Sequence, residues 1–211
     1  MTTKRDTPET TTLPTAINPV NWWRTLCWIH PQIALCGDLD TSRTGSGEAQ
    51  LEEWLAAGIT DIVDARGEWN DERFVTSCAP QVNYHWVGTH DNGTRQADSW
   101  FDAGVTAAHQ ALADPGRKAV VHCHMGVNRG PSLAYAVLLT LGVDAVQALE
   151  TIRAARPIAG IIYAEDAVSW WHRRIGSPDT VRQAERLRVR TWLEANDNDV
   201  AWIVSRIHRA G

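Results

Sequence analysis

KAVVHCHMGVNRGPS, Lys118 to Ser132, divides into three parts. The apolar, β-branched lead-in Ala119-Val120-Val121 predicts a buried strand ending in His122-Cys123. Arg129 follows six residues after the cysteine, and the apolar run Leu133 to Leu141 beyond it predicts a buried helix. The residues between Cys123 and Arg129 (His124, Met125, Gly126, Val127, Asn128) can curl so that successive backbone N–H groups point at one centre, reinforced by the positive end of the following helix. An oxyanion fits such a cradle. Cys123 stands at its floor, where N–H dipoles and a guanidinium favour a nucleophilic thiolate, and Arg129 can grip two phosphoryl oxygens at once. Gly126 permits the bend, and Pro131 suits a first helical turn. A metal centre built from His122, Cys123 and His124 is disfavoured, because consecutive extended residues point to opposite faces; neither metal nor cofactor is expected.

The loop resembles the His-Cys-x5-Arg loop of the cysteine-dependent protein tyrosine and dual-specificity phosphatases. Gly58-Ile59-Thr60 before a strand and Arg156-Pro157 after the post-loop helices resemble further landmarks of that family. The resemblance implies that Cys123 and Arg129 are catalytic and that a carboxylic acid on an upstream loop protonates the leaving group. Asp91, thirty-two residues before Cys123 and beside Asn92 and Gly93, is the candidate; Asp98 is second, and is expected to cap a helix instead. His122 is expected to order the loop and tune the thiolate by hydrogen bonding. Gly130 departs from the family, which commonly carries Ser or Thr after the arginine to support the departing sulfur. Ser132 could replace that hydroxyl only if the helix start folds back. Gly130→Ser is therefore expected to raise turnover.

Outward from the loop, strands and helices alternate, which predicts an α/β fold with a mostly parallel central sheet flanked by helices. Upstream, Ile33 to Cys36, Ile59 to Asp64 and Val82 to Val87 read as strands; Glu48 to Ala57, Asn70 to Cys78 and Ala97 to Leu112 read as helices. Asp64-Ala65-Arg66 reads as an ion pair or cap at a strand end, with charged functional residues as the alternative. Downstream, Val143 to Arg156 is an amphipathic helix stopped by Pro157, and Tyr163 to Arg174 is another. The expected organisation is a loose Thr- and Pro-rich leader (1–19), one dual-specificity-phosphatase-like domain (20–176) and a helical C-terminal extension (177–211) ending in a short helix. On that extension Arg182, Arg186, Arg188 and Arg190 read as a solvated face, with an acidic partner as the alternative.

Of 211 residues, 44% are hydrophobic and 21% charged, as in an ordinary globular chain. The net charge of −5 argues against wholesale nucleic-acid binding. No run is apolar enough to span a membrane, and four widely spaced cysteines do not make a disulfide framework, so a cytoplasmic protein is expected. The expected partner is a phosphorylated protein, at phosphotyrosine, phosphoserine or phosphothreonine. Alternatives are an RNA 5′-phosphatase, suggested by Gly-Val-Asn-Arg in the loop, a phosphoinositide phosphatase, or an inactive module that captures phosphopeptides. Oligomeric state is not specified by the sequence.

Overall fold

A computed structural model describes residues 22–210; the expected leader, 1–19, lies outside them. Five strands form one mixed sheet in the order β1-β2-β5-β3-β4. They are β1 (Cys27–His30), β2 (Ile33–Cys36), β3 (Asp61–Arg66), β4 (Asn83–Thr89) and β5 (Ala119–His122). β2, β5, β3 and β4 are parallel, and only β1 runs antiparallel, against β2. The mostly parallel sheet is thus as expected, although β1 was not foreseen.

Alternation along the strands sends side chains to two faces, both covered. Ile33, Leu35, Val63, Ala65 and Val121 pack toward α3 (Asp98–Leu112), α4 (Arg129–Thr140), α5 (Ala145–Ala155) and α6 (Ala164–Arg174). Ala34, Cys36, Ile62 and Val120 pack toward α1 (Ser46–Ala56) and α2 (Glu72–Cys78). The helix α4 is buried from Arg129 through Leu139. Each large side chain it removes from water, such as Leu133 or Leu138, contributes about 1.5–3 kcal/mol, which drives the helix into the middle of the fold and fixes the loop before it. Its start at Arg129, four residues before the apolar run that announces it, places the arginine itself in the first helical turn.

Cys36, His122 and Asp64 lie side by side in register at the carboxyl ends of β2, β5 and β3. The 123–128 loop therefore leaves the centre of the sheet, where crevices form in open α/β folds. Asp98 does not cap α3: the preceding Ala97 holds the cap position without a side-chain hydrogen bond, and the Asp98 carboxylate accepts from Arg173 of α6 at 2.6 and 2.8 Å. Opposite charge 75 positions away outcompetes the local turn.

Downstream, α7 (Asp179–Ala195) buries Val189 against the main core. Its arginines pair within the chain: Arg186 and Arg190 reach Glu165, and Arg188 reaches Asp144 and Glu185. α8 (Val200–Ala210) turns Val200, Ile203 and Ile207 onto Trp23, Met125 and Val127. Among the described residues no helix is long and apolar enough to cross a membrane.

Candidate active site

The loop is shaped from outside. Arg156 donates from Nε to the carbonyl of Gly126 at 2.6 Å and from Nη2 to those of Met125 at 3.1 Å and Trp23 at 2.6 Å. The N–H of Asp38 donates to His124 O at 2.9 Å, and that of Gly160 to Val127 O at 2.7 Å. With the carbonyls of residues 124 to 127 all bonded outward, the trans peptide geometry turns the following N–H groups of residues 125 to 128 inward. Convergence of backbone donors is thus imposed by named partners. Gly126 has φ +62°, and a β-carbon there would stand 2.4 Å from Arg156 Nη2 and 2.5 Å from Cys36 O. Only glycine fits that position.

Cys123 and Arg129 are buried, and both line one cleft of about 320 Å³ together with Asp91, His124, Met125, Val127 and Asn128. Arg129 Nη1 donates to Glu68 Oε2 at 2.6 Å and to Thr89 O at 3.0 Å, which aims the guanidinium. Its buried Nε makes no hydrogen bond to protein and lies 3.4 Å from Asp91 Oδ2. Partial burial pushes the Glu68 carboxyl up, but the hydrogen bond and charge of Arg129 outweigh it and hold the group below the usual glutamate range.

Asp91 overhangs the loop. Its Oδ1 accepts from Asn128 Nδ2 at 2.6 Å and from Tyr163 OH at 2.8 Å. Tyr163 also accepts from the N–H of Gly93 at 3.2 Å, pinning the loop that carries the carboxylate. Burial first, then the bond to Asp91, raises the Tyr163 hydroxyl and keeps it a donor. Asp98, the second candidate acid, faces Arg173 and does not line this cleft.

Of the residues assigned supporting parts, His122 is placed differently from expectation. His122 is fully buried against Trp54, with ring centroids 5.7 Å apart, and neither ring nitrogen has a hydrogen-bond partner in the protein. The expected hydrogen bond from His122 to the loop is not formed; its Nε2 lies 3.9 Å from Asp64 Oδ1, because the end of β5 turns the ring toward β3. Burial outweighs that carboxylate and lowers the His122 pKa. His124 points outward, with Nδ1 2.6 Å from Asp38 Oδ2 and its ring edge against Trp69. Ser132 donates to Asn128 Oδ1 at 3.2 Å and accepts from the N–H of Tyr163 at 3.2 Å. The hydroxyl is therefore committed to the Asn128–Tyr163 support. At Gly130 a β-carbon would stand 3.1 Å from His122 C and 3.3 Å from Cys123 N, so a side chain there must displace backbone at the end of the central strand. That crowding opposes the simple gain expected of Gly130→Ser. Asp64 and Arg66 do form an ion pair, extended to Asp71 and Tyr84 behind the site.

Glu68, Tyr163 and Asp38 escaped sequence reading, as did the clamp made by Arg156. Glu68 sits two residues past a strand end, a position where functional side chains concentrate in parallel sheets, and that was the available signal. Tyr163 and Arg156 carried none beyond their place after the post-loop helices.

No protein-family model matches the chain. Over 86 residues, 38% of its length, it is 33% identical to dual specificity protein phosphatase 26 of Bos taurus and of Homo sapiens. The match spans 40% of those relatives. Human dual specificity protein phosphatase 5 is 29% identical over 63 residues, 30% of this chain and 16% of that one. Among solved structures, PTPMT1 in complex with PI(5)P superposes with a TM-score of 0.59 at 16% identity, covering 73% of this chain and 97% of that one. Human DUSP28 superposes with a TM-score of 0.57 at 18% identity, covering 71% and 95%. At such identities these structures establish the fold alone, one that this chain shares with PTPMT1 and DUSP28. The relatives in sequence are named dual specificity protein phosphatases, and over the matched stretch the chain is similar to them.

Proposed function

We propose that the chain is a metal-independent phosphatase that hydrolyses phosphomonoesters of proteins through a Cys123-phosphate intermediate, with 20–176 as the catalytic unit. The observation that carries this is the Asp91 carboxyl, bonded to Asn128 of the loop itself and 3.4 Å from Arg129 Nε. An acid so placed serves the bond that breaks. The Cys123 thiolate attacks phosphorus, the bond to the leaving oxygen breaks, and Asp91 gives that oxygen its proton. The resulting Asp91 carboxylate then takes a proton from water, which attacks phosphorus and expels the thiolate. The inward N–H groups of residues 125 to 128 and the guanidinium of Arg129 hold the equatorial oxygens throughout.

Phosphate release in excess chelator tests the reading, measured on phosphotyrosine and phosphothreonine peptides, a phosphoinositide and an RNA 5′-triphosphate. Release from the peptides that disappears in Cys123→Ser is expected, since an alcohol of far higher pKa cannot supply the anion. A requirement for divalent metal, or full activity of the serine variant, overturns the mechanism. Exclusive release from the RNA or the lipid overturns the substrate class.

A further inference from the structure

Apolar side chains form much of the cleft above Cys123, and they come from far apart in the chain. Val127 belongs to the loop, Ile162 to the turn before α6, and Val200 and Val204 to α8. Ile162 is 48% exposed and both valines are half-buried, so apolar surface faces the open mouth above Arg129. The turn is held rigidly. Ile161 is fully buried at φ +54°, a strained conformation for a β-branched residue, and the next N–H, that of Ile162, donates to Asn128 Oδ1 at 2.8 Å. The opposite partner is seated just as firmly. Val200 Cγ2 lies 2.8 Å from where a β-carbon of Gly160 would be, Asn198 Nδ2 donates to Pro157 O at 2.8 Å and Ala159 O at 3.1 Å, and Ile203 and Ile207 are buried under the loop.

Resting on the reading of this cleft as a phosphatase site, we infer that Ile162, Val200 and Val204 form a specificity wall that selects an aryl leaving group, phosphotyrosine, over the alkyl esters phosphoserine and phosphothreonine. A phenyl ring standing on the phosphoryl group buries apolar surface against this wall. A serine phosphate ends its side chain at Cβ and draws the polar peptide backbone down against the same valines, where its amides lose water without gaining partners. Among the described residues that line the cleft, Arg129 is the one arginine or lysine. That complement suits one phosphate on an apolar stem.

Two peptides of identical sequence, one carrying phosphotyrosine and the other phosphoserine at the same position, decide the matter by kcat/KM. Burial of a ring predicts a phosphotyrosine preference on the order of tenfold to a hundredfold in the full chain. The double variant Val200→Thr, Val204→Thr keeps side-chain shape but makes the wall polar. It is expected to reduce that ratio on the order of tenfold, mainly through KM of the phosphotyrosine peptide, and Val204→Leu is expected to retain the preference. Circular dichroism of each variant verifies that α8 stays folded. Release from both peptides with no preference, or a ratio unchanged in the double variant, overturns the wall alone. Release from neither peptide by the wild-type chain overturns the phosphatase reading with it.

Discussion

The amide of Asn128 donates to the carboxylate of Asp91 across 2.6 Å, tying the residue before Arg129, the proposed phosphate ligand, to the candidate proton donor. Cradle and acid are therefore one mechanical unit. Asp91→Asn should slow phenyl esters with poor leaving groups by on the order of 10²-fold or more while sparing activated esters, which need no proton. Asn128→Ala removes a hydrogen bond to a charged group, about 1.5–3 kcal/mol or roughly ten- to a hundredfold if expressed in the transition state. Steady-state rates across a leaving-group series check both; equal slowing of all esters by Asp91→Asn would remove the acid from Asp91.

Gly126→Ala should abolish phosphate release. The φ of +62° alone costs a side chain about 1–3 kcal/mol, and the β-carbon meets Arg156 and Cys36 well inside van der Waals contact. Thermal unfolding should report a lowered midpoint alongside the lost activity, and an unchanged midpoint with normal turnover contradicts the clamp.

At position 130 two effects oppose one another. A hydroxyl could stabilise sulfur as it departs from phosphorus, but its β-carbon presses on the backbone of His122 and Cys123. Gly130→Ala carries the crowding without the hydroxyl, so the two variants together separate the effects. Rapid-quench kinetics should show a burst of product in the wild type, and Gly130→Ser should exceed Gly130→Ala in steady-state turnover by about tenfold. Equal turnover of the two variants means that another group assists the sulfur.

His122 is buried and its pKa lies below 6.5, so it resists protonation in the folded chain and accepts it on unfolding. The unfolded state then binds more protons as pH falls below about 6.5, and stability present above that value is lost on acidification. Denaturant unfolding between about pH 5 and 6.5 should show this slope, reduced in His122→Asn. His30 and His109, also lowered by burial, act in the same direction.

What could be read from the sequence was local. The strand, loop and helix around Cys123 announce themselves by β-branched residues, glycine and an apolar run, and Asp91 by its place in a polar loop. The residues that shape the site act across the chain: Glu68 reaches Arg129 over 61 positions and Tyr163 reaches Asp91 over 72, distances at which periodicity says nothing. α8 lies between these cases. Val200, Ile203, Val204 and Ile207 fall on one helical face by spacing alone, yet spacing cannot say that this face covers the loop. His122 shows the converse error, a residue next to Cys123 whose strand turns it away from the loop.

Through a single guanidinium Arg156 joins Gly126 to Trp23, which lies 133 positions before the arginine. During synthesis the strand and the cysteine emerge well before that side chain does, and the carbonyls it must turn outward remain free until α5 is complete. A nascent chain therefore carries the proposed nucleophile without a shaped loop, and the proposed capacity to bind phosphate arrives late, when contacts between the two ends of the fold close. Competence at this site is in that sense a report on finished folding.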